Sequence, residues 1–350
     1  MSKAFQKLVR DKTRRVLCSD KSVSSAKKIV AITTGDHDGI GLEVSIKALR
    51  KIGPQRSTHF ILCRSAESQK KQPFTGRSLG SQFSVHQYHN IEDAIESTHR
   101  QSSDLSEVIL SSSPARWVEE VALLSLQKKI SAICTGPLSK QEITNAGMAD
   151  IGHTDILRRI TGGKTALMGF FGKFFRVVLA TGHIPLKNVE QTLTPEYFDE
   201  AIKIALNSRS LLPGPLSKKP VGVLGLNPHA GDHGLIGGFE SSFLRDFLSS
   251  AAQGSELIGP LIPDVAFHPS NWSKYSYYMA LYHDQGLIPF KMKHGFSSGV
   301  HVTLGLPIVR TSVDHGTAKD LFGLNKADSG SMTDALLWAC RLAEKNKRGI

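Results

Sequence analysis

Three histidines in this chain each follow a short apolar run: His183 in VVLATGHIPL, His229 in VGVLGLNPHAG and His283 in YMALYHDQGL. A neutral imidazole offers a lone pair to a divalent ion such as Zn²⁺, and three of them leave a coordination position open for a substrate. An ion so held would polarise a hydroxyl or carbonyl oxygen, or activate water. One histidine behind a strand is commonly an ordinary loop or core residue, but these three share one topological position. Their intervals are 46 and 54 residues, each one or two strand–helix units. Asp232 and Asp284, close to them in sequence, could orient the rings or bind elsewhere in the site.

A sheet must position these rings. Apolar runs followed by loop residues read as strands buried on both faces, and ligands of open α/β sheets gather outside the carboxyl ends of the strands. The pattern recurs along the chain. KKIVAITTG reads as a first strand and GDHDGIGLEVSIKALRKIG as a glycine-rich turn entering a helix. HFILC (59–63) is a second strand, and a helix fits 117–129 with Val118, Val121, Ala122 and Leu124 on one side. ISAIC is a strand, followed by the loop TGPLSK and a helix capped by Ser139. Thr194-Pro195-Glu196 opens a helix whose buried stripe is Phe198, Ala201, Ile202, Ala205 and Leu206. PVGVLGL, GVHVTLG and PIVRTSV are strands; a helix is expected from DHGTAKDLF and a last one near 332–344. Strands alternating with helices mean an α/β protein with a parallel or mixed sheet covered on both faces. The stretch 64–115 has only weak periodicity.

Other residues could hold an anion. In GHTD, Thr154 reads either as a helix cap or, with His153, as a donor to an anionic substrate at a helix N-terminus. Lys291 and Arg310 sit in apolar, strand-rich surroundings; each is either a surface cation or the partner of a phosphate or carboxylate. Arg310 has the better claim, because guanidinium pairs bidentately with either group. Gly35-Asp36-His37-Asp38-Gly39-Ile40-Gly41 does not fit the dinucleotide fingerprint GxGxxG and reads as a tight turn feeding a helix.

Composition bounds the rest. The 350 residues are 40% hydrophobic and 21% charged, enough for a sizeable core in one large domain or two ordinary ones. No apolar run approaches the ~20 residues of a membrane span, and no signal peptide is visible. The four cysteines form no CxxC pair, which fits a reducing cytoplasm. The formal charge is +12, but residues 1–28 hold nine Lys/Arg and two Asp. The excess therefore reads as a solvated, disordered basic extension over 1–27, without the interleaved aromatics of a single-strand nucleic-acid site. Neither a specific nucleic acid nor a membrane is expected as a partner.

TGPLSKQEITNAGMADIGHTDIL, ATGHIPL, GLNPHAG, GPLIPDVAF, LYHDQGLIPFKMKHGF and SGVHVTLGLPIVRTSVDHGTAKDLFG, in this order, resemble the 4-hydroxythreonine-4-phosphate dehydrogenase family of pyridoxal phosphate biosynthesis. The resemblance runs from about Lys28 to near the C-terminus. It implies two α/β/α subdomains, isopropylmalate dehydrogenase-like, with the active site in the cleft. The first would be 28–130 plus 290–350; the second, 131–289, would carry most metal and substrate residues. It implies a cytoplasmic homodimer with shared active sites, a divalent metal (Zn, with Mg or Co as alternatives), and NAD or NADP. The implied reaction oxidises 4-phosphooxy-L-threonine at C3 and then releases CO₂ to give 3-amino-2-oxopropyl phosphate. His183, His229 and His283 fall on the family's metal ligands, and His153, Thr154, Lys291 and Arg310 on its substrate contacts. His315, Gly316 and Thr317 resemble a cofactor loop, and Lys291 and Asp264 are candidates for the proton acceptor. There are two departures. His301 stands where the family has a substrate-binding asparagine, and His37, Asp38 and Leu42 replace its small-residue and proline pattern. Paralogues acting on 4-phospho-erythronate or 4-phospho-threonate are therefore an alternative. A metal-dependent hydrolase built on the same histidines is a more distant one, and a nucleic-acid binder resting on the basic N-terminus is another.

Overall fold

The computed structural model describes residues 27–67, 76–98, 103–250, 256–295 and 298–345. Of the basic segment 1–27, all but Lys27 lies outside the described residues. Among the described residues twelve strands form one sheet: β1 (Lys28–Thr33), β2 (Thr58–Ser65), β3 (Val85–Tyr88), β4 (Leu105–Leu110), β5 (Ala132–Thr135), β6 (Leu167–Phe171), β7 (Arg176–Leu179), β8 (Val221–Leu224), β9 (Leu257–Leu261), β10 (Tyr278–Ala280), β11 (Val300–Leu304) and β12 (Arg310–Ser312). Their spatial order is β3-β4-β2-β1-β5-β12-β11-β6-β7-β10-β8-β9. Pairing is parallel except at β12-β11, β11-β6 and β6-β7. Two parallel halves therefore run in opposite directions, joined by an antiparallel seam, and the expected mixed sheet is found.

Both faces are covered because the strands are apolar on both sides. In β1, Val30 and Ile32 pack on one face with α1 (Gly41–Ile52) and the last helix, whereas Ile29 and Ala31 pack on the other with α2 (Ile91–Ser97) and α3 (Pro114–Leu126). Ser139 caps α4 (Lys140–Asn145) by accepting from Glu142 N–H, as expected. α5 spans His153–Thr161. Thr194 caps α6 (Pro195–Ser208), whose stripe of Phe198, Ala201 and Ile202 is buried. α7 (His283–His294) lays Leu287 and Phe290 against Val177 and Leu179 of β7. α8 (Gly330–Lys345) closes the first half with Met332 and Leu336.

Two local expectations are corrected. DHGTAKDLF opens no α-helix: Ala318 is left-handed and only the single 3₁₀ turn Lys319–Leu321 follows. Thr154 does not cap α5; Gly152 holds the cap position and His153 is the first helical residue. Among the described residues no helix is long and apolar enough to cross a membrane, and Cys63, Cys134 and Cys340 are free thiols.

Candidate active site

The candidate site is built on the face of the antiparallel seam. In the β11-β12 ladder His301 lies opposite Ser312 and Thr303 opposite Arg310. Opposed residues and their second neighbours share a face, so these four side chains point the same way. β5 adds Thr135, paired with Ser312. Its Oγ1 accepts from Arg310 Nε at 3.1 Å and from Nη2 at 2.7 Å. Arg310 Nη1 donates to Thr303 Oγ1 at 3.1 Å and to His301 Nδ1 at 3.2 Å. Arg310 is 2% exposed, and every one of these partners is neutral. Burial pushes its pKa down to about 10. A guanidinium sunk this deep is normally paired with an acid; here, among the described residues, it meets hydroxyls and an imidazole.

Two further imidazoles border that cation. His301 stacks on Phe170, with centroids 5.1 Å apart and planes 13° from parallel. His153 is delivered by the first turn of α5. In both rings Nε2 is shielded from solvent and has no hydrogen-bond partner. Burial, then the charge of Arg310, holds both well below the usual histidine range. Thr154 is half-buried beside His153.

The three histidines of the opening motif do sit on neighbouring parallel strands, β7, β10 and β8, at one carboxyl edge. The single chain brings two of them together: the His183 and His283 rings are 5.0 Å apart. Burial, then His283 and Lys140, lowers the pKa of His183, which leaves its ring neutral at physiological pH. Asp284 Oδ1 lies 2.7 Å from His283 Nδ1. An ionised carboxylate only accepts, so Nδ1 carries the hydrogen, and Nε2 is the atom left to offer a lone pair to a metal. His183 also acts electrostatically on His301, which joins this pair to the Arg310 pocket.

His229 is placed elsewhere. It lies in Pro228–Gly234, where residues 229–233 all have positive φ (39° to 77°). With Asp232, His233, Arg245, Pro260 and Ile262 it lines a separate cavity of about 490 Å³. Asp264 is exposed on the short helix Pro263–Ala266, which packs against that segment. Among the described residues no three His, Cys, Asp or Glu side chains are gathered as a metal site.

Lys291 reaches from α7 to the end of β12, where Nζ donates to Asp314 O at 3.2 Å. His315, Gly316 and Thr317 follow. His315 Nδ1 is 2.9 Å from Gly316 O, while its Nε2 is shielded and unpartnered. Gly316 has open space where a side chain would stand. Thr317 O accepts from Ile40 N at 3.0 Å, so this loop lies on the glycine-rich turn. Lys319 pins it with ion pairs to Asp38 at 2.8 Å and Asp36 at 3.3 Å.

Sequence reading missed Thr135, Thr303 and Phe170, which anchor Arg310 and His301. No motif marks them. Strand parity in GVHVTLG could have put Thr303 on the face of His301. Lys140 and Asp314 were missed too: each is distant in sequence from its neighbour, His183 for Lys140 and Lys291 for Asp314.

The model of the family "Pyridoxal phosphate biosynthetic protein PdxA" matches residues 64–339. A 4-hydroxythreonine-4-phosphate dehydrogenase of Sulfurihydrogenibium sp. is 36% identical, over 91% of this chain and 99% of the relative. A D-threonate 4-phosphate dehydrogenase of Salmonella typhimurium is 32% identical, over 90% and 99%. The crystal structure of 4-hydroxythreonine-4-phosphate dehydrogenase from Klebsiella pneumoniae superposes with a TM-score of 0.73 at 28% identity, covering 92% of this chain and 99% of that one. With the family model, full-length relatives and the matching fold all in agreement, the chain belongs to the PdxA family of pyridoxal phosphate biosynthetic dehydrogenases.

Proposed function

We propose that this oxidoreductase uses NAD or NADP to oxidise the C3 hydroxyl of a 4-phosphorylated four-carbon acid, the class that includes 4-phosphooxy-L-threonine and 4-phospho-threonate. Loss of CO₂ from the resulting β-keto acid follows. The observation that carries this reading is Arg310, a buried cation held, among the described residues, by neutral groups. A phosphate or carboxylate would supply the missing counter-charge in bidentate geometry. His153, Thr154 and Lys291 border the same anion, and Lys291 also stands as a proton acceptor for the C3 hydroxyl.

His183 and His283 suit a divalent ion, since their rings lie side by side and Asp284 orients the second. Bound there, the ion would act as a Lewis acid toward the C3 oxygen. The third ligand, His229, would come from a second copy of the chain, and Asp264 would arrive with it. Apolar side chains left in solvent favour such a dimer: Leu235, next to the His229 segment, is 83% exposed, and Met292 and Ile288 on α7 are 82% and 57%. The dinucleotide would lie along His315–Thr317, where His315 Nε2 lacks a partner and Gly316 leaves room for close approach. The test is reduction of NAD or NADP, followed by absorbance, with 4-phosphorylated substrate and a divalent ion present. Full activity of His229→Ala in metal-stripped buffer would overturn the assignment.

A further inference from the structure

The second substituent of the substrate, at C2, separates an amino acid from a hydroxy acid. With the C1 carboxylate on Arg310, that substituent lies one bond further on, toward His301, so the polarity there bears on which one fits. Arg310 Nη1 lies 3.2 Å from His301 Nδ1. Guanidinium has no acceptor atom, so this contact is a hydrogen bond only if Nδ1 accepts. The hydrogen of the neutral ring is then on Nε2. That atom is shielded from solvent and meets no acceptor among the described residues. The contact from Arg310 selects this edge of the ring, whose face stacks on Phe170. His301 therefore offers the pocket a donor and nothing else.

The surrounding charges agree. The groups acting on His301 are Arg310, His153 and His183, all basic, and those acting on His153 reduce to Arg310. Among the described residues no carboxylate acts on either ring or on Arg310. Asp284 is engaged by His283, and Asp314 lies by Lys291 and Ser331. An ammonium group placed beside His301 would meet a donor and a buried cation, with no acid to pair with. A hydroxyl there would accept from Nε2–H.

We infer that His301, backed by Arg310, selects a 4-phosphorylated 2,3-dihydroxy acid over the 2-amino-3-hydroxy acid of the same configuration. This rests on the dehydrogenase reading above and narrows its substrate class.

The test compares 4-phosphorylated 2,3-dihydroxybutanoate with the matched 2-amino-3-hydroxybutanoate, by calorimetric binding to the full chain with its divalent ion and by kcat/KM with NAD or NADP. The dihydroxy acid should be favoured about tenfold or more, the worth of one hydrogen bond at ~1.4 kcal/mol. His301→Asn, whose amide can turn its carbonyl toward an ammonium, should bring the two within about threefold by raising the amino acid; His301→Gln serves if Asn does not fold. Preference for the amino acid, or a ratio unmoved in a folded variant, overturns the inference while dehydrogenase activity survives. Selective binding without any nicotinamide reduction would sink the dehydrogenase reading and leave the selectivity standing. If neither compound binds, both fall.

Discussion

Arg310 and its two histidine neighbours decide how the pocket behaves without ligand. A buried cation with neutral partners is costly, and replacing such a group by an apolar one of similar size is often neutral or stabilising. Arg310→Met should therefore lower the thermal midpoint of the ligand-free protein by no more than the equivalent of about 1 kcal/mol. Inorganic phosphate should stabilise the wild type, by roughly 2.7 kcal/mol at a hundredfold excess over Kd. It should leave Arg310→Met unchanged. Scanning calorimetry with and without phosphate reads both effects, and an equal phosphate response in the two proteins would argue against Arg310 as the anion site.

His153 and His301 impose a pH dependence whose sign follows from their lowered pKa values. In the folded protein they stay neutral below the ordinary histidine pKa of about 6.5, whereas in the unfolded chain they take up protons there. The unfolded state then binds more protons, so stability falls as pH drops through about 6.5 and is unaffected by these groups above it. A thermal midpoint measured from pH 8 to 5.5, above the carboxylate range, should decline toward the acid end. The decline should be shallower in His301→Asn.

At the scale of elements, the pocket depends on loops meeting at close quarters. Asp36 accepts from Ser139 N at 2.9 Å, and its own N–H donates to Pro137 O at 3.1 Å. The β1 loop is thereby tied to the loop that starts α4 and places Lys140 near His183. Gly35 makes this approach possible: its φ is +76°, and a Cβ there would stand 1.9 Å from Pro137 O. Gly35→Ala should destabilise by at least about 2 kcal/mol, combining left-handed strain with a backbone clash. Chemical denaturation with unchanged m-value would register it; a loss below about 0.5 kcal/mol would mean the two loops can separate freely.

At the scale of the whole molecule, the arrangement of histidines is what a dimer with a shared site would have to complete. His183 and His283 face one another, while His229 lines another cavity on the same edge of the sheet. If His229 serves the partner's site, His183→Ala and His229→Ala are each inactive alone but complement when mixed. Half of the reassorted dimers would be mixed, and each would keep one intact site, restoring about a quarter of wild-type activity. No recovery after unfolding and refolding the mixture would place all three ligands in one chain.

The residue types settled a good deal by themselves. Apolar runs bounded by loop chemistry located β1, β7, β8 and β10, and caps such as Ser139 and Thr194 set helix starts, because these depend on side-chain pattern and on hydrogen bonds a few residues apart. His183, His229 and His283 were legible at one sheet edge for the same reason. What the linear order leaves open is pairing across long separations. Only tertiary structure reversed β11 between β12 and β6, and so moved Arg310 and His301 from a strand edge to the sheet face with Thr135, 175 residues away from Arg310. Only it parted His229 from the other two rings, through a run of left-handed residues that local propensity disfavours outside glycine. Register and loop path follow from which surfaces bury one another, and that is a property of the packed chain, not of any short window of it.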